Sequence, residues 1–125
     1  MMNKKDFSIV CIGAGNVATH LAQALQQKGF HLSQIYSRTQ ESAQALAQTL
    51  GCAWTTCLEQ VDEHADLYIV SVKDAVLETV ISQLVHCNPD ALYLHTAGSM
   101  PMEVWKEKFK NYGVAYPHAN FQQTT

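Results

Sequence analysis

An unbroken apolar run, FSIVCI at residues 7–12, ends abruptly in Gly13-Ala14-Gly15. After Asn16 the period changes, and Val17, Leu21, Ala24 and Leu25 recur at helical spacing. A run without alternation marks a strand covered on both faces. A strand buried on both sides that turns at once into an amphipathic helix belongs in a parallel sheet with helical crossovers. Few other architectures accept that junction so early in a chain.

The same alternation continues. Residues 32–37 (LSQIYS) read as a second strand, and 40–50 as an alanine-rich helix with Gly51 as its stop. Residues 52–56 suit a short third strand, 66–72 (DLYIVSV) a fourth, and 75–85 a helix. Asn88-Pro89-Asp90 is a turn. Residues 92–95 are a fifth strand, and 113–116 a sixth. Pro101 suits the first turn of a helix over 101–110, with Met102, Trp105 and Phe109 as a core-facing stripe. The expected fold is α/β: a doubly wound, mostly parallel sheet of about six strands with helices on both faces, the Rossmann arrangement.

Composition narrows the class further. The 125 residues make one domain. Only 15% are charged, against about 25% in an average soluble domain, which points to much two-sided burial or to a surface meant for a partner. A net charge of −3 offers no field for nucleic acid. No apolar run approaches the roughly 20 residues of a membrane span. Cys11, Cys52, Cys57 and Cys87 match no metal spacing and read as reduced, buried thiols of a cytoplasmic protein. His20, His31, His64 and His86 read as ordinary surface or satisfied histidines.

Gly13-Ala14-Gly15-Asn16-Val17-Ala18 is a G-x-G-x-x-A in the strand–turn–helix setting of a dinucleotide site. Gly13 permits the turn, and Gly15 lets the backbone approach a pyrophosphate. The first amides of the helix, at Asn16 and Val17, meet the phosphates. An acid usually closes the second strand to hold the ribose 2′-hydroxyl of NAD. Ser37-Arg38-Thr39 stands there instead, a set that can cradle the 2′-phosphate of NADP. NADP is therefore expected over NAD. The alternative is a solvated arginine beside a capping Ser or Thr.

Two further segments fall at carboxyl ends of strands, where ligands of open parallel sheets lie. Val72 and Lys73 should border the cofactor, with Asp74 as a helix cap. In His95-Thr96-Ala97-Gly98-Ser99, Thr96 and Ala97 can face a nicotinamide, and His95 and Ser99 are candidate catalytic residues. His95 reads equally as a buried structural histidine donating to a backbone carbonyl.

GAGNVA, YSRTQESAQALAQTLG, DLYIVSVKD and HTAGS together resemble the N-terminal domain of pyrroline-5-carboxylate reductase and of deazaflavin-dependent NADP reductases. The likeness is closest to oxidoreductases in which this domain precedes a helical domain of unknown function. There a segment like LHTAGSMPMEVW and a strand like Ala115-Tyr116-Pro117 lead into that second domain. The chain departs from pyrroline-type reductases at Asp74, where they have proline, and at His95, so their imino-acid substrate is not carried over. The resemblance implies an NADP-dependent oxidoreductase of unnamed small-molecule substrate and a possible homodimer. Residues 1–125 would be its dinucleotide-binding domain, without the helical substrate and dimerisation domain. His118 and Asn120 would face the cleft from the last strand end. A non-catalytic NAD(P)-binding or sensing module is the second reading, and a purely structural interaction domain the third.

Overall fold

The computed structural model describes residues 6–96 and 100–115. Strands β1 (Ser8–Ile12), β2 (His31–Tyr36), β3 (Ala53–Thr55), β4 (Leu67–Val70), β5 (Leu92–His95) and β6 (Tyr112–Val114) form one sheet. Its order is β3-β2-β1-β4-β5-β6, and every neighbouring pair is parallel. The helices are α1 (Asn16–Gln27), α2 (Gln40–Leu50) and α3 (Asp74–Ser82). This is the expected doubly wound α/β arrangement.

Strand periodicity divides the core. In β1, Ile9 and Cys11 point towards α1 and α2, where they meet Leu21, Leu25, Leu46 and Leu50. Val10 and Ile12 point the other way, into a cluster with Leu77, Ile81 and Trp105. In β4, Leu67 and Ile69 join the first cluster, and Tyr68 and Val70 the second. All four residues Ile9 to Ile12 are buried, which accounts for the unbroken apolar run.

The second cluster is aromatic. Tyr68 stacks on Tyr93 with ring centroids 4.8 Å apart, and Tyr93 stacks on Phe109 at 3.7 Å. Both hydroxyls are satisfied inside the protein. Tyr68 donates to the Asp62 carbonyl, and Tyr93 donates to the Asn88 carbonyl at 2.6 Å. Burial pushes both phenols well above their ordinary range.

Local chemistry sets the helix limits. Thr39 caps α2 by accepting from the Ser42 amide at 3.4 Å, and Gly51 ends it in the left-handed region at φ 71°. α3 stops at Ser82, short of the expected 85, and continues as turns. The larger correction concerns residues 101–110. They form a 3-10 turn, Met102–Trp105, followed by further turns, and not a full helix. Pro101 brings no side-chain cap, and the Trp105 indole is tied back to β5, so the segment keeps a tight turn. Trp105 and Phe109 are nonetheless buried as expected. The cysteine reading also needs correction: Cys11 and Cys87 are buried, but Cys52 is half-buried and Cys57 exposed. β3 is a three-residue edge strand, which leaves the chain after it at the surface.

The first glycine is required by the fold itself. Gly13 has φ 116°, and a Cβ there would lie 2.4 Å from the Ser71 carbonyl oxygen. At Gly15 a Cβ would meet nothing within 4 Å. Gly13→Ala should therefore destabilise the chain by about 2 kcal/mol or more, from backbone strain plus overlap. Gly15→Ala should stay within about 0.5 kcal/mol of the parent, as an unobstructed surface change does. Urea unfolding of both variants checks this. Equal stabilities would show that the contact with Ser71 is relaxed.

Candidate functional site at the switch point

The chain leaves β1 towards β2 on one side, and β4 lies on the other, so the strand order reverses between β1 and β4. A crevice opens beyond the carboxyl ends of such strands. Gly13 follows the last residue of β1 at that point. Its amide donates to the Tyr36 carbonyl at 2.7 Å, and the Ser71 amide donates to the Ile12 carbonyl at 2.8 Å. The ends of β1, β2 and β4 are thus tied together under the turn.

Gly15 is the N-cap of α1 and supplies no side-chain cap. Asn16 and Val17 follow, both exposed at the start of α1. Sequence reasoning placed these residues at one helix N-terminus, and the structure brings them together there with Gly13.

Beyond β2, Ser37 is buried, and its amide donates to the Thr55 carbonyl at 3.2 Å. The Thr39 hydroxyl is committed to Ser42, accepting from its amide and donating to its Oγ at 2.9 Å. Arg38 between them is exposed and has no ion pair among the described residues. The expected capping threonine and the expected charged donor therefore coexist, on different side chains. Glu41 lies in the first turn of α2.

At the end of β4, Val72 packs against the aromatic cluster and Lys73 is exposed. Lys73, and not Asp74, occupies the N-cap of α3; Asp74 is the first helical residue, an acid in the first turn. The expectation that Asp74 caps the helix is corrected accordingly. Sequence reasoning passed over Ser71. Its Oγ is buried and has no hydrogen-bond partner among the described residues. Only its surroundings reveal that, because a serine at a strand end carries no distinguishing pattern.

His95, the last residue of β5, is fully buried. The Trp105 indole N–H donates to its Nδ1 at 2.9 Å, and its Nε2 lies 2.9 Å from the Met100 carbonyl. Neither nitrogen is left for a substrate, so the general-acid expectation gives way to the structural one. Thr96 is half-buried, and its amide donates to the Val70 carbonyl at 3.1 Å, which seats it beside the end of β4. Ala97, Ser99, His118 and Asn120 lie outside the described residues.

Burial raises the Cys11 thiol to about 12, with Cys52 adding to the effect. Cys11 is therefore an inert core group two residues before the turn. Among the described residues no group of three His, Cys, Asp or Glu side chains could hold a metal, and no helix is long and apolar enough to cross a membrane.

Comparisons with known proteins converge on this geometry. Among curated proteins the sequence has no significant match. A candidate NADP oxidoreductase from Bacteroides fragilis superposes with a TM-score of 0.88 at 48% identity, covering 95% of this chain and 46% of that one. Two more distant structures share the fold. Prephenate dehydrogenase from A. aeolicus, solved with hydroxyphenyl propionate and NAD+, has a TM-score of 0.79 at 16% identity, covering 98% of this chain and 44% of that one. The imine reductase from Myxococcus stipitatus, solved with NADP+, has a TM-score of 0.70 at 18% identity, covering 88% and 42%. The chain thus spans about half the length of these proteins. The profile of the family described as NADP oxidoreductase, coenzyme F420-dependent, matches residues 8–97, and with the 48% identity to the Bacteroides protein it shows that the chain belongs to this family of NAD(P)-dependent oxidoreductases.

Proposed function

We propose that this chain is the NADP(H)-binding part of an oxidoreductase that transfers a hydride between the nicotinamide and a small carbonyl or imine substrate. The observation that carries the cofactor choice is Arg38. It is exposed, it lacks an ion pair among the described residues, and it follows β2 where no acid stands. A guanidinium there favours the doubly charged 2′-phosphate, and no acid closes β2 to hold a 2′-hydroxyl in its place.

Three features fit a dinucleotide at the switch point. Open space surrounds the position a Gly15 side chain would take. α1 begins without a side-chain cap, which leaves its first turn to an anion. The Ser71 hydroxyl is buried beside the turn without a partner among the described residues. When bound, the cofactor supplies or accepts the hydride. The amides at Asn16 and Val17 would hold its pyrophosphate, and Arg38 its 2′-phosphate. Val72, Lys73, Thr96 and Ala97 would border its nicotinamide half.

Substrate positioning needs walls on both sides of the nicotinamide. We place the opposing wall, and a homodimer contact, in a helical second half of the kind the relatives' additional length allows. Ser99 is retained as a residue for the substrate side. A cytoplasmic location accords with the unpaired thiols.

Arg38→Ala should weaken NADPH binding about 10- to 100-fold, the loss of a charge-assisted bond, and leave NADH nearly unchanged. Calorimetric titration of both cofactors tests this, and equal affinities in the parent chain would refute the NADP assignment. Gly15→Val should keep a native circular dichroism spectrum yet abolish cofactor binding, because its side chain fills the approach to the backbone. Normal binding by that variant would put the ligand elsewhere.

A further inference from the structure

We propose that His95 is a positioning residue that clamps Met100 and the Met102–Trp105 turn to the carboxyl end of β5, and so sets the nicotinamide side of the cleft. The inference rests on the cofactor reading above. Its basis is a pair of bonds of opposite polarity. An indole N–H can only donate, so the 2.9 Å contact from Trp105 makes His95 Nδ1 an acceptor without a proton. The ring proton must then sit on Nε2, where it is donated to the Met100 carbonyl at 2.9 Å. The buried ring is therefore held in one tautomer by its two partners.

The clamp connects the aromatic core to the glycine turn. Trp105 is fully buried, with its ring 5.6 Å from Tyr93 and 5.7 Å from Phe109. His95 joins that block to the end of β5, and the next residue, Thr96, donates to Val70 on β4. The residue that follows β4, Ser71, is the one that Gly13 abuts. A shift of Met100 or Trp105 would thus move the edge along which the cofactor lies.

The two bonds can be separated by substitution. An asparagine carbonyl reaches about as far as Nδ1, and a glutamine amide about as far as Nε2. His95→Asn should keep the Trp105 bond and a thermal midpoint within a few degrees of the parent, but weaken NADPH binding about tenfold. His95→Gln should keep the Met100 bond and weaken NADPH binding only about threefold, less than His95→Asn, with a lower midpoint because the indole loses its acceptor. Nitrogen-15 NMR of the parent chain should show protonated Nε2 and bare Nδ1, independently of either variant. Equal affinity losses in the two variants, or a protonated Nδ1, would overturn the clamp. A parent chain that binds no NADPH would overturn the cofactor reading and this role with it, whereas parent binding with indistinguishable variants overturns the role alone.

Discussion

Three strand ends meet at one backbone contact. Gly13 must carry no Cβ, because the Ser71 carbonyl oxygen occupies the place where it would stand. That contact allows β1 and β4 to stay in parallel register through Ile12 and Val70 and still end at the same level. The Gly13 amide also reaches the Tyr36 carbonyl, so β2 ends there too. A larger residue would push the turn off the sheet and α1 with it. The crevice, the helix N-terminus that faces it and the level of Arg38 beyond β2 all follow from this approach.

The sheet above that contact needs both faces covered, and they are covered differently. Leucine and alanine from α1 and α2 seal one side, close enough for Ala22, Ala43 and Ala47 to be fully or almost fully buried. The other side has one short helix and is sealed by stacked aromatics, which cover more area per residue. Tyr68 and Tyr93 bring hydroxyls into that layer, and each finds a carbonyl in a neighbouring loop. Their polar ends thereby fix the loops before β4 and before β5. The low charged fraction of the sequence is the compositional trace of this double burial.

Much of this was legible in residue order because it depends on local periodicity. The change of period at Asn16, the cap at Thr39 and the stop at Gly51 are signals within one turn of the element they bound. The absence of an acid after β2 is equally local. The segment from Pro101 to Lys110 misled because a helical stripe, Trp105 and Phe109, is compatible with any turn that buries both rings. What decides its shape is the indole bond to His95, ten residues away and on a different element. Ser71 was overlooked for a related reason: an unpaired hydroxyl is a property of surroundings, not of spacing. The exposure of Cys57 depends on β3 being the sheet edge, which no run of residues announces.

The buried side-chain oxygen left without a partner among the described residues lies at one edge of the sheet. Ser71 Oγ, the uncapped start of α1 and the unpaired Arg38 all lie at the carboxyl ends of β1, β2 and β4. Elsewhere buried polar side chains are answered, even the His95 ring at both nitrogens. A buried hydroxyl without a partner costs about 1–3 kcal/mol, a large fraction of a small domain's stability. Selection for stability alone would remove it, since alanine fits where serine does. A cost concentrated at one edge, beside a glycine whose missing side chain leaves open space, has a physical rationale if a ligand completes that edge. The pattern separates the two glycines as well: Gly13 is required by the chain's own backbone, whereas a side chain at Gly15 would meet only open space.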